Sequence, residues 1–294
     1  MTGKGGVGKT TVAAALAVAA ARRGRRVLVA MCDAKERLSS LLGCAAIGAE
    51  IELASEGIEA VNMVPERCLE EYGLMVLKVR ALYRAVFENR TVRGFLQAVP
   101  GLHEWAMLGK AWFHTTETRG GRPRYDLVIL DAPATGHGTE LLRVPKVIVD
   151  VAPPGLLRRE AEKAWNLMQD PDRCEVLLVT VPEELPVSEA IDLHDALAGE
   201  MGLPIRRVVA NAVLPEIWNA TEEEAILASR PDAQVASLID SARSRIVRTR
   251  LQRTQLSRLE TSLPLPQVRL PFAYGPEFGR DAVELLAQEL GRQT

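Results

Sequence analysis

The first eleven residues constrain this chain more than any other stretch. Met1-Thr-Gly-Lys-Gly-Gly-Val-Gly-Lys-Thr-Thr11 contains the pattern Gly-x-x-x-x-Gly-Lys-Ser/Thr from Gly3 to Thr10. Gly3, Gly5, Gly6 and Gly8, with Val7 between them, let successive backbone N–H groups turn into one concavity that fits a polyphosphate. Lys9 then reaches the β- and γ-phosphates, and the Thr10 hydroxyl, followed by Thr11, sits on Mg²⁺. The alanine-rich run from Thr10 to Arg23 is a good helix former and aims its positive end at the same anion. A signal peptide is the competing reading, since Lys4, Lys9, the apolar run Val12–Ala21 and Arg22 imitate one. The complete motif, with its partners recurring downstream, favours the phosphate loop.

Such a loop ordinarily follows a strand at the centre of a sheet, and here only Met1 and Thr2 precede Gly3. Either residues upstream supply that strand, or the sheet lacks it. At 294 residues, 47% hydrophobic and 25% charged, the chain holds a sizeable core in one large α/β domain, read here as 1–294. A net charge of −2 offers no electrostatic case for nucleic acid, and no apolar run reaches the ~20 residues of a membrane span. Cys32, Cys44, Cys68 and Cys174 are scattered without a Cys-x-x-Cys pair, which fits a reducing cytoplasm.

Downstream, helix and strand patterns alternate. Gly24 reads as the end of the first helix, and Val27–Met31 as a buried parallel strand. Helix then strand after such a loop starts a doubly wound, mainly parallel α/β sheet of the P-loop NTPase type. Asp33, at the carboxyl end of that strand, either orients an attacking water or caps the helix suggested by Lys35–Leu42. Residues 51–65 read as one short strand. From about 66 to 118 the period becomes helical, through Leu69, Tyr72, Val76, Val79, Leu82, Tyr83 and Val86, broken at Pro100-Gly101 and resumed over Leu102–Thr116. This is a helical insertion on the sheet's edge, its apolar stripe more economically core than client groove.

Tyr125–Asp131 is apolar until it ends in a carboxylate, which places Asp131 to hold Mg²⁺. The loop Ala132–His137 suits a nucleotide-sensing switch, with His137 orienting it or serving as base. Further strands are expected at Val147–Val151, Val176–Val181 and Val208–Asn211, where the Asn211 amide can pair with a base edge. Six arginines and no acid lie between Ser241 and Leu259, a solvated helix face or a phosphate- or partner-facing patch. Leu270–Pro276 reads as a turn-rich loop and Phe278–Leu290 as a closing helix.

With these stretches in hand the chain resembles the ArsA family of ATPases, which includes arsenical-pump ATPases and eukaryotic ATPases that target tail-anchored membrane proteins. Lys4 within the loop matches the family's second lysine, which contacts nucleotide across a dimer interface. Cys32-Asp33-Ala34 sits at the family's switch I, whose aspartate positions the hydrolytic water. Asp131–His137 is similar to the switch II sequence D-T-A-P-T-G-H. Pro182-Glu183-Glu184 resembles a nucleotide-facing loop near the dimer interface, and Asn211, Leu270, Pro271 and Phe272 lie where the family contacts adenine. Two departures stand out: Ala34-Lys35 replace Pro-Ala-His after Asp33, and the zinc-binding Cys-x-x-Cys and the arsenite-binding cysteine set are not evident.

The resemblance implies ATP and Mg²⁺ as ligands and a dimer with itself or a paralogous ATPase. It also implies a nucleotide switch that moves the helical insertion against a hydrophobic or membrane-protein client, with Lys4, Lys9 and Asp33 doing the chemistry. A weakly hydrolysing regulatory subunit paired with a paralogue is the alternative. An arsenite-stimulated pump ATPase and a MinD- or ParA-like ATPase fit less well.

Overall fold

The computed structural model describes residues 1–77, 101–275 and 277–293. The glycine-rich start leads into α1 (Lys9–Arg22) and then β1 (Val27–Cys32). Alternate side chains of β1 divide the core: Val27, Val29 and Met31 join the cluster around α1, while Leu28, Ala30 and Cys32 join the opposite one. A strand covered on both faces has to be apolar throughout, which is why this one shows no polar alternation. The alanines of α1 let the helix lie close against the sheet, and Ala13, Ala14, Ala15 and Ala17 are fully buried. Gly24 stops the helix as expected: at φ 76° its N–H donates to the Ala21 carbonyl at 2.8 Å.

After α2 (Leu38–Leu42), residues 51–65 hold two strands where one was expected. β2 (Glu52–Ser55) and β3 (Ile58–Met63) form a hairpin, with Gly57 in the left-handed region at the turn. β3 runs parallel to β1, and β6 (Leu127–Asp131) runs parallel to β1 on its other side. A second parallel group holds β7 (Leu178–Thr180), β8 (Val208–Val213) and β9 (Gln267–Pro271). Met1 and Thr2 join the two groups. Ala132 N–H donates to the Met1 carbonyl at 3.1 Å, and Thr2 exchanges backbone hydrogen bonds with Leu177 and Val179 at 3.1 and 2.9 Å. The order across the sheet is therefore β2-β3-β1-β6, the Met1–Thr2 stub, then β7-β8-β9. This is the mixed, mainly parallel α/β architecture read from the sequence.

The stretch expected to be a helical insertion begins with α3 (Pro65–Leu77) and ends with α4 (Leu102–Thr116). Val79, Leu82, Tyr83 and Val86 lie outside the described residues. A two-strand turn, β4 (Thr118–Arg119) with β5 (Arg122–Pro123), returns the chain to β6. Trp105 of α4 is wholly buried against Val144, Ala161 and Ala164, so α4 is pinned to α5 (Thr135–Val151) and α6 (Leu156–Gln169).

Two local expectations are corrected. Val147–Val151 is the last part of α5, not a strand. Its β-branched residues suit a strand, but Leu141, Val144 and Ile148 recur at helical spacing against the core while Val147 and Val151 face outward. The loop expected at Leu270–Pro276 starts later, because β9 runs through Pro271. Pro276 lies outside the described residues.

The arginine-rich segment lies in α9 (Ala236–Ser262), and several of its arginines pair within the chain. Arg250 pairs with the buried Glu223 of α8 (Ala220–Ala228) at 2.7 Å, and Arg253 pairs with Glu216 at 2.9 Å. α10 (Arg280–Gln293) closes the fold on α1, packing Val283, Leu286, Ala287 and Leu290 into the same cluster. Among the described residues no helix is long and apolar enough to cross a membrane.

The packing of Trp105 predicts that Trp105→Ala lowers stability by about 3–5 kcal/mol in urea unfolding. A loss below about 1 kcal/mol would mean that α4 is not held by this contact.

Candidate functional site

The site lies at the carboxyl ends of the strands, where open α/β sheets bind ligands. Its floor is the loop from Gly3 to Gly8, and two glycines there have no substitute. Gly8 caps α1 at φ 87°, and a Cβ on it would lie 2.3 Å from the side-chain nitrogen of Asn211. Gly3 sits at φ 154°, where a Cβ would fall 2.1 Å from the Val179 carbonyl oxygen. The loop is thus wedged between β7 and β8. Gly6, at φ 86°, takes the left-handed turn that exposes the loop's amides, and Gly5 lies against Ala134 at the start of α5. Val7 is buried beneath, and Thr11 follows in the first turn of α1.

Asn211 braces the loop. Its Nδ2 donates to the Val7 carbonyl at 2.9 Å, and the residue is only 8% exposed. The β8–β9 register shifts between Ala210 and Val213, and Ala212 takes φ 55°. Such a bulge re-aims a side chain, here toward the loop rather than along the sheet. The sequence placed Asn211 at a base edge; the geometry commits its amide nitrogen to the loop.

Lys9 folds over the loop, its ammonium donating to the carbonyls of Gly3 and Lys4 at 3.0 and 3.1 Å. Burial lowers its pKa below the ordinary lysine value, with the Asp131 charge pulling the other way. Thr10 Oγ1 donates to Asp131 Oδ2 at 2.6 Å, so the two residues read as metal-binding do meet. Asp131 is 4% exposed, and burial raises its pKa against the Thr10 hydrogen bond. Its Oδ1 is buried without a hydrogen-bond partner among the described atoms. A buried carboxylate oxygen beside a hydroxyl is a hard, anionic donor set, and this set fits Mg²⁺.

Asp33 follows β1, exposed and held at φ 44° by its N–H donating to the Met63 carbonyl at 2.9 Å. It does not cap α2. The capping contacts come from Glu36, whose carboxylate accepts from the Ser39 N–H at 2.8 Å and the Ser39 hydroxyl at 2.6 Å. The next residue is clamped: Asn62 of β3 exchanges two hydrogen bonds with the Ala34 backbone, at 2.9 and 3.2 Å. The sequence reading passed over Asn62. Its only signal was a polar residue in an otherwise half-apolar strand.

Lys4 pairs with Glu189 of α7 (Glu184–His194) at 2.9 Å, both side chains partly exposed. The switch expected as a loop to His137 is shorter, because α5 starts at Thr135; the side chain of His137 lies outside those described. Pro271 ends β9. Phe272 N–H donates to the Val213 carbonyl at 2.8 Å, and its half-exposed ring lies 4.8 Å from that of Tyr274. Phe272 thus follows the carboxyl end of β9, bonded to the end of the strand that carries Asn211.

A phosphate-cradling loop, a lysine folded over it and a strand-end carboxylate on the loop's threonine define a P-loop nucleotide hydrolase. The family model described as anion-transporting ATPase, ArsA, matches residues 1–152. The chain belongs to this family and is an ATPase. The chain is 28% identical over 294 residues to ATPase BagA of Mycobacterium tuberculosis, covering 92% of this chain and 86% of that protein. It is 27% identical to an arsenical pump-driving ATPase of Acidiphilium multivorum, over 73% of this chain and 39% of the relative. ATPase GET3C of Arabidopsis thaliana is 25% identical, over 73% and 66%.

The brace predicts a coupled pair of substitutions. Asn211→Ala leaves the Val7 carbonyl unpaired and costs about 1–3 kcal/mol. Gly8→Ala costs less in the Asn211→Ala background than alone, because the clash is gone and only the backbone strain remains. The coupling expected in a double-mutant unfolding cycle is about 0.5–3 kcal/mol, and additive effects would contradict the brace.

Proposed function

We propose that this ATPase is a dimeric, Mg²⁺-dependent nucleotide switch whose hydrolysis cycle moves the helical stretch of roughly residues 66–118. The observation that carries this reading is the Thr10–Asp131 contact at 2.6 Å beside the Lys9 ammonium, all within the glycine cradle. Backbone N–H groups of the loop would hold the β-phosphate, and Lys9 would leave its own loop carbonyls for phosphate oxygens of ATP. Thr10 and Asp131 would hold Mg²⁺, which supplies charge neutralisation on the β- and γ-phosphate oxygens. Asp33, at the exposed end of β1, would orient the attacking water. Its carboxylate need only position that water, since phosphoryl transfer asks little covalent chemistry of the protein.

Phe272 would offer its ring to the adenine, and the Asn211 oxygen would accept from the base's amino group. Lys4 now rests on Glu189 and would exchange that partner for the phosphate of a nucleotide in a second subunit. Hydrolysis would then relax the Asp33 and Ala132–His137 segments. On this reading the helical stretch takes a hydrophobic client or partner protein in the cytoplasm; its supports are the family and a relative named GET3C. A regulatory subunit with little turnover is the second reading, favoured by the exposure of Asp33 and by Lys35 two positions on. Turnover that Asp33→Asn leaves unchanged would select it.

Lys9→Ala is expected to lower ATP turnover by about a hundredfold or more, the scale of losing one positioned charge at the transition state. Phosphate release measured at saturating Mg·ATP checks this, and undiminished hydrolysis would sink the assignment of the site.

A further inference from the structure

A cavity of about 300 Å³ lies away from the glycine loop, lined by α3, α4 and the residues that lead into β2. That volume is at the small end of the range for small-molecule sites. Arg124, on its wall, precedes β6 and so marks the opposite end of that strand from Asp131. Cys68 of α3 and Ala106 of α4 give the cavity a buried apolar side, and the more exposed ring of Phe113 adds to it. None of these residues belongs to the nucleotide site, so binding here is separable from ATP hydrolysis.

The cations on the wall are already taken. Lys110 pairs with Glu71 at 2.9 Å, and Arg124 donates to Glu117 and to Glu59, each at 2.9 Å. Glu50, exposed where it lines the cavity, makes no ion pair among the described residues. The charge left over is therefore negative, and an anionic ligand would first have to displace a carboxylate. His114 adds a second constraint. It is 7% exposed, and its Nδ1 lies 2.8 Å from the Glu117 carboxylate. Against the cost of burial, the bonds from His114 and Arg124 hold the Glu117 carboxyl below its usual range, so it is ionised and accepts. Burial lowers the His114 pKa, with the Glu117 bond pulling the other way, so the ring is neutral and carries its hydrogen on Nδ1. Nε2 is then an acceptor, and it is buried without a hydrogen-bond partner. An unpaired buried acceptor calls for a donor.

We propose that this cavity binds a small primary amine with an apolar body. The ammonium N–H groups meet the two acceptors left open, the Glu50 carboxylate and Nε2 of His114. The apolar body lies against Cys68, Ala106 and the Phe113 ring, which together remove it from water. A carboxylate ligand of the same shape finds neither a free cation nor a free donor among the described wall residues. Because α3 and α4 both line the cavity, an occupant bridges the two helices that begin and end the helical stretch.

The test titrates the full chain, without nucleotide and near neutral pH, with 2-phenylethylammonium and with 3-phenylpropionate, which match in body and oppose in charge. Calorimetry is expected to show the amine binding about tenfold or more tightly than the acid. Glu50→Gln keeps the shape of an exposed side chain with no structural partner and removes its charge, and it is expected to weaken amine binding by about tenfold. In nitrogen-15-labelled protein the amine should shift the Nε2 resonance of His114, a readout that needs no substitution of that buried residue, while the acid leaves it in place. No binding of the amine would overturn the proposal, as would equal affinity for the acid. Amine binding that Glu50→Gln leaves unchanged, or that leaves the His114 resonance unmoved, would overturn it too.

Discussion

The backbone amides of Gly3–Gly8 must all turn into one concavity, and no side chain inside the loop can make them do so. The surrounding strands impose that shape. Val179 leaves no room for a Cβ at Gly3, and Asn211 leaves none at Gly8 while holding the Val7 carbonyl from below. Thr10 ties the start of α1 to the end of β6 through Asp131. A loop fixed at three points by three strands is preorganised for polyphosphate, so little ordering cost falls on binding.

The same economy governs the turn that follows β1. Asp33 occupies a left-handed backbone position that aspartate tolerates better than most residues, and Asn62 grips the backbone just after it. The carboxylate itself stays exposed. A side chain free at its tip but fixed at its root can meet a water molecule without being consumed by a structural bond. Lys4 shows the opposite condition, being occupied by Glu189 and available only through an exchange of ion-pair partners. Both partners are partly exposed, so such an exchange is cheap.

Much of this was legible in the residues. The glycine spacing, the lysines and the carboxylate ending Tyr125–Asp131 located the loop and the Thr10–Asp131 contact, because each obeys a short-range rule of backbone shape or strand burial. The run Val27–Met31 was legible for the same reason. What local pattern missed was set by distant contacts. Val147–Val151 is helical because Trp105 and Ala161 cover one side of it, and nothing near it in sequence says so. Asn211 turns beneath the loop because of a bulge against β9, a partner nearly sixty residues away in the chain. Asn62 and Glu189 act through single side-chain contacts that carry no periodic signature at all.

The nucleotide switch is the central claim, and mass in solution tests it most directly. Light scattering of this 32.1 kDa chain should show a doubled mass in Mg·ATP and a monomer in Mg·ADP, with Lys4→Ala remaining monomeric in both. The same mass in both nucleotides, unaffected by Lys4→Ala, would contradict a switch that works through a nucleotide-bridged pair.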